Sequence, residues 1–142
     1  MSNYTILSGG WAELQSAVAP VREAVFIQEQ QIAPADEWDV QDAVCLHFAV
    51  MDGETCIATA RLLENHSIGR VAVLSTSRGK GIGKLLMLEV IETAKKQGRP
   101  FVQLSSQVHA IEFYAGLGFR VQGEAYLDCG IPHIDMSLSF VD

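Results

Sequence analysis

The alternation and recurrence of apolar positions along the chain predict most of its elements. "NYTIL" (3–7) alternates and predicts a short strand. Residues 11–30 carry helical spacing, split at Pro20 so that "PVREAVFIQEQ" starts a second piece, since proline opens a helix more readily than it sits inside one. Residues 31–43, with Pro34 and several acids, read as a loop. "AVCLHFAVMDGETCIATARLLE" reads as a hairpin turning on Asp52-Gly53, a register that sets Met51 against Glu54 and Cys45 against Ala60. "SIGRVAVL" (67–74) is the next strand. Gly83, Leu86, Met87, Val90, Ile91 and Ala94 then recur at helical spacing over 81–97, with Gly98 placed to end the helix and Pro100 to block its continuation. "FVQLS" (101–105) predicts a strand, 107–117 a short helix stopped by Gly118, and "FRVQGEAYLD" with "PHIDMSLSF" a final hairpin. This order predicts an α/β or α+β domain, single over 1–142, with helices on the faces of a sheet.

Composition narrows the class. A chain of 142 residues that is 49% hydrophobic and 19% charged can bury one globular core. The N-terminus shows no basic-then-apolar leader and no apolar run matches a bilayer, so a cytoplasmic protein without a membrane partner is expected. Cys45, Cys56 and Cys129 lack metal-ligand spacing and are expected as small, reduced, buried hydrophobes, with no disulfide and no metal.

The net charge of −7 is unevenly spread. Residues 1–60 hold nine acids against one base, Arg22, whereas Arg70, Arg78, Lys80 and Lys84 gather near one glycine-rich turn. An acidic whole argues against nonspecific nucleic-acid binding. One half suits an anion and the other a cation.

The basic turn joins strand to helix in "VAVLSTSRGKGIGK". Such a junction aims unpaired backbone N–H groups at one point, and the helix start adds roughly half a positive charge. A phosphate is the natural guest. The phosphate loop G-x-x-x-x-G-K-[ST] does not fit, because Gly79 to Gly83 is one residue short and Leu85 follows Lys84. The dinucleotide fingerprint would need glycine at Lys84. R-x-x-G-x-G fits, as "RGKGIG".

With "QVHAIE" and "FYAGLGF" (113–119) some thirty residues on, the chain resembles the GCN5-related N-acetyltransferase (GNAT) superfamily, whose members move an acetyl group from acetyl-CoA to an amine. "VFIQEQ" (25–30) and "GIPH" (130–133) are similar to a bacterial branch with poorly defined substrates, while "STS" stands where relatives often carry a proline and a bulky residue. The resemblance implies a mixed, mostly antiparallel sheet whose splayed parallel strands form the acetyl-CoA cleft. It implies pantetheine along Val71, Ala72 and Val73, and pyrophosphate on Arg78, Gly79, Lys80, Gly81, Ile82, Gly83 and Lys84. Gln107 and His109 would border the lower pantetheine. Tyr114 takes the place of a general acid, protonated at neutral pH from a reference pKa of about 10 against about 8.5 for the thiol, so a lowered pKa or a strong hydrogen bond must assist it. From the acidic N-terminal half, Glu29, Asp36, Glu37 and Asp39 are candidates for receiving the amine or its proton, with His47 and His133 as alternative bases. The implied reaction is direct transfer to a primary amine, a small cationic metabolite first and a protein amine second. A CoA-binding sensor without turnover stands as the alternative, and oligomeric state stays open, a homodimer included.

Overall fold

The computed structural model describes residues 3–141. Seven strands, β1 (Tyr4–Gly9), β2 (Leu46–Asp52), β3 (Thr55–Leu62), β4 (Ser67–Val73), β5 (Phe101–Gln107), β6 (Arg120–Asp128) and β7 (Ile131–Ser139), build one sheet. Their order is β1-β2-β3-β4-β5-β7-β6. All neighbours are antiparallel except β4 and β5. Four α-helices accompany them: α1 (Trp11–Arg22), α2 (Pro34–Glu37), α3 (Ile82–Lys96) and α4 (Ile111–Ala115).

The predicted face of α3 is the buried one. Leu86, Met87, Val90, Ile91 and Ala94 pack with Phe48, Leu62, Ile68, Val102, Leu104 and Met136 in the main core. Its end is a Schellman motif: Gly98 N–H donates to the Lys95 carbonyl at 2.9 Å and Arg99 N–H to the Ala94 carbonyl at 3.2 Å. Gly98 supplies the left-handed φ of 77° this requires. On the other side of the sheet, Leu14 and Val18 of α1 pack on Ala49, and Val21 and Val25 pack on Ala72.

Several expectations are corrected. α1 runs through Pro20 instead of restarting there, then widens into a π-helical segment, Glu23–Glu29. Pro20 and Ser16 are exposed, so the carbonyl that loses its helical donor can turn to water. The 31–43 loop contains α2, with Pro34 at its first position, and a 3₁₀ turn, Val40–Ala43, capped when Asp39 accepts from Gln41 N–H at 3.1 Å. The hairpin turns one residue later than predicted, on Gly53-Glu54, which sets Met51 against Cys56; a bulge at Val50/Met51 then shifts the register once more, so that Phe48, not Cys45, faces Ala60. Residues 106 and 107 extend β5, and only a 3₁₀ turn, Val108–Ala110, separates it from a five-residue α4. Cys45 is buried and Cys56 half-buried, but Cys129 is exposed at the β6–β7 turn, where no core reaches.

The acidic stretch is held by arginines from elsewhere. Arg22, fully buried, donates from Nε to Glu37 at 2.6 Å and from Nη1 to Asp42 at 2.7 Å, with its guanidinium 4.8 Å from the Trp38 ring centroid. Arg61 forks onto Asp39 at 2.7 and 2.8 Å and reaches Asp42 at 2.9 Å. Arg70 donates to the Glu37 carbonyl at 2.9 Å. Buried charges persist only when paired and hydrogen-bonded, and here the pairing ties residues 37–42 to β3 and β4.

Candidate active site

The site begins with a defect in β4. Thr59 pairs with Ala72 and Arg61 with Gly69, so Arg70 and Val71 together face Ala60. This is a β-bulge, and Arg70 holds a left-handed φ of 50° within it. Bulges bend their strand. Accordingly, β4 pairs with β5 only at Ser67↔Gln103 and Ile68↔Leu104, after which the two diverge. Leu74 N–H donates to the Ile57 carbonyl, so residues 72 and 74 face β3 with their main-chain groups. By the two-residue period, Val71 and Val73 turn theirs into the gap left by β5.

At the end of β4, Ser75–Ser77 forms a 3₁₀ turn closed by Ser77 N–H on the Leu74 carbonyl at 2.8 Å, so "STS" makes the corner without a proline. Gly79 and Gly81 take φ of 79° and 77°, and Gly81 caps α3. Among the described residues the N–H groups of 79–84 donate to no protein acceptor. They form a backbone anion cradle at a helix start. Lys80 and Lys84 stand exposed beside it. Arg78 is engaged: it grips Glu29 with two bonds of 2.8 Å and donates from Nε to the Val73 carbonyl at 3.0 Å. That ion pair holds the Glu29 carboxyl below its ordinary range.

A cleft of about 870 Å³ runs through the gap. It brings together Glu29, Asp36, Glu37, Val71, Ala72, Val73, Arg78, Gly83, Gln107, His109, Tyr114 and His133. Asp39 is not among its walls; it lies on Arg61. Glu37 is buried and burial pushes its carboxyl up, against the pull of Arg70 and Arg22. Of the four acidic candidates, Glu29, Glu37 and Asp39 are ion-paired, and Asp36 is exposed. Gln107 spans the cleft to Gln30, Nε2 to Oε1 at 2.8 Å, and accepts from His109 Nε2 at 2.7 Å.

Tyr114 is half-buried between Phe113 and Phe119, with ring centroids 5.0 and 6.0 Å away. Burial pushes its phenol up to about 12, which sets aside the lowered pKa and leaves the strong hydrogen bond of the two aids expected from the sequence. His133 Nδ1–H donates to the Ile131 carbonyl at 2.7 Å, which leaves Nε2 as the basic nitrogen of the neutral ring. Sequence reasoning missed Phe113, which packs 3.4 Å from where a Cβ on Gly83 would stand, and Arg70, whose left-handed backbone no glycine announces. It also missed the bonding of Tyr126 hydroxyl to Asp135 at 2.6 Å and to Ser105, which joins three strands.

Asp42, Cys45 and His47 converge to within 4.8 Å of one another. The Asp42 carboxylate accepts from Arg22 and Arg61, and His47 Nε2–H donates to the Asp42 carbonyl at 2.8 Å, while His47 Nδ1 is buried with no partner among the described residues. The cluster suits an ion-pair anchor better than a cation. No helix among the described residues is long and apolar enough to cross a membrane.

A bulged strand that splays from its parallel neighbour and ends in a backbone anion cradle defines a CoA-dependent acyltransferase scaffold. The comparisons with known proteins agree. Residues 16–140 match the acetyltransferase (GNAT) domain profile. A Bacillus subtilis relative described as the uncharacterized N-acetyltransferase YjcF is 34% identical, over 82% of this chain and 86% of its own. Among solved structures, an acyl-CoA N-acyltransferase from Pseudomonas aeruginosa is 30% identical with a TM-score of 0.86, covering 96% of this chain and all of that one. Escherichia coli ElaA is 30% identical with a TM-score of 0.87, covering 95% and 99%. The chain belongs to the GNAT acetyltransferase family and is an N-acetyltransferase that draws on a CoA-derived cosubstrate.

Proposed function

We propose that this enzyme moves an acetyl group from acetyl-CoA to the primary amine of a small metabolite by direct attack. The observation that carries this reading is continuity: the β4 edge at Val71 and Val73, which β5 does not pair, leads straight into the N–H groups of residues 79–84, which donate to no acceptor among the described residues. Those N–H groups, with Lys80 and Lys84, receive the diphosphate, and Val71–Val73 hold the amide-bearing arm by adding it to the strand edge. Arg78 exchanges Glu29 and the Val73 carbonyl for phosphate as the arm arrives, while Gln107 and His109 border the arm's lower half. A main-chain N–H at Val73 stabilises the oxyanion of the tetrahedral intermediate.

His133 Nε2 takes the ammonium proton, with Nδ1–H anchored on Ile131 so that the basic nitrogen is the outer one. Tyr114 donates a hydrogen bond to the departing sulfur. Glu29, Asp36 and Glu37 give the cleft mouth its acidic wall, with Asp39 behind them on Arg61.

The test is a titration with acetyl-CoA, CoA and ATP, followed by thiol release across an amine panel. Saturable acetyl-CoA binding with amine-dependent thiol release supports the proposal. Tight CoA binding with no release for any small amine or lysine peptide overturns it in favour of a sensor.

A further inference from the structure

We propose, resting on the acyl-transfer reading above, that the acceptor lies in a second recess on the α1 side of the sheet, and that it is a hydroxylated primary amine with a single positive charge. The recess measures about 810 Å³ and lies over β4, β5 and β7. Residues on β5 and β7 alternate between the main core (Val102, Leu104, Met136) and this opposite face (Gln103, Ser105, Asp135, Ser137). α1 packs against β1–β4, which leaves this part of the face uncovered.

The recess adjoins the cofactor cleft along one seam, where Ile68, Gly69, Leu104 and Ser105 line both. The last rung between β4 and β5 is Ile68↔Leu104, and the next residues, Gly69 and Ser105, border both cavities. A nucleophile in the recess reaches the split from the side opposite α3. Ser105 pairs directly with Asp135, so a carboxylate stands one strand away from the opening.

The charge balance sets the class of acceptor. Arg61 borders the recess but is matched by Asp39 and Asp42. Asp135 Oδ1 accepts from Tyr126, and its other oxygen has no partner among the described residues. In the acidic N-terminal cluster Glu37, Asp39 and Asp42 are matched by Arg22, Arg61 and Arg70, and Glu29 by Arg78, while the exposed Asp36 lines the cofactor cleft and not the recess. One open carboxylate suits one ammonium and gives a polycation nothing further to grip.

Two residues along each strand, Gln103 faces Ser137 in the same register, about 7 Å from the Ser105–Asp135 row. Gln103 Nε2 already donates to the Asn65 carbonyl at 3.1 Å, which fixes its amide and leaves Oε1 as an acceptor; Gln122 and the Ser137 hydroxyl add groups that both donate and accept, as sugar or polyol hydroxyls require. The acceptor therefore carries its amine at the Ser105–Asp135 end and hydroxyls one row away.

The purified full-length chain is tested with glucosamine, spermidine and phenethylamine as acceptors, reading thiol release, and with glucosamine alone, reading amide NMR shifts. The expected result is a kcat/KM for glucosamine at least tenfold above the other two. Glucosamine should shift the amides of Gln103, Ser105, Asp135 and Ser137. Asp135→Asn should raise its KM at least tenfold without changing acetyl-CoA affinity, and Asp135→Glu should recover part of the loss. Preference for spermidine or phenethylamine, an unchanged KM in Asp135→Asn, or absence of shifts in the recess overturns the proposal while leaving the transferase reading intact. Shifts in the recess without thiol release from any amine would uphold the recess and overturn the transferase reading.

Discussion

Replacing Tyr114 with phenylalanine removes one hydroxyl and nothing else from the cleft. The phenol stands at about 12 because burial disfavours its anion. Moving its proton onto a thiolate of reference pKa about 8.5 would then be uphill by about 5 kcal/mol, at 1.36 kcal/mol per unit. A hydrogen bond to a charged acceptor is worth about 1.5–3 kcal/mol without any transfer. On the proposed mechanism the phenol would therefore act on the leaving thiolate as a hydrogen-bond donor, with the proton reaching sulfur from solvent afterwards. Tyr114→Phe should lower kcat by roughly 10–150-fold, the rate equivalent of that hydrogen bond, with acetyl-CoA Kd within about twofold of the parent. Because the group stays protonated below about pH 12, it should contribute no alkaline limb to the kcat profile between pH 7 and 10. Stopped-flow thiol release across that range reads both quantities. An unchanged kcat, or an alkaline limb near pH 9 that vanishes in the variant, would refute the reasoning.

Three further outcomes follow from the geometry. Arg22→Ala leaves buried Glu37 with Arg70 alone and buried Asp42 with Arg61 alone, and should cost about 3 kcal/mol, a Tm drop of roughly 10 °C; a drop under about 3 °C by calorimetry contradicts the linchpin role. Arg61 holds the Asp39 carboxyl at about 2, below its usual 3.8, so its stabilisation is whole above about pH 4 and fades as pH falls toward 2. With a third of that side chain exposed, the contribution is discounted to about 1 kcal/mol; the Tm gap between the parent and Asp39→Asn should close by pH 2, and a gap constant from pH 7 to 2 would be inconsistent with the pairing. Gly81→Val meets no atom within 4 Å of its new Cβ, but it must hold φ of 77°, a strain of at least about 1–2 kcal/mol that re-aims the N–H cradle. Acetyl-CoA Kd by calorimetric titration should weaken at least tenfold with only a few degrees lost in Tm, and parental affinity would remove the cradle from its role.

The sequence by itself determined what short-range physics decides. The buried face of α3 and its Gly98 cap follow from helical period and backbone freedom, and both stand within a few residues. The glycine turn is local in the same sense: Gly79 and Gly81 admit the left-handed conformations that leave its N–H groups outward. The tertiary structure decided what depends on distances between remote segments. Nothing local marks Arg70 as a bulge, yet that bulge opens the cleft. The hairpin turns one residue later than its strongest local turn pair, and a second bulge, at Val50/Met51, shifts the rest of the register further. The acidic stretch reads in sequence as a lure for cations, but in the fold Arg22, Arg61 and Arg70 pair with Glu37, Asp39 and Asp42, and Arg78 grips Glu29 across 49 residues. Tyr114 was named from a motif, but the rise in its pKa comes from the burial that surrounds it. Backbone preference is written residue by residue, whereas burial and charge pairing exist only once the chain has closed on itself.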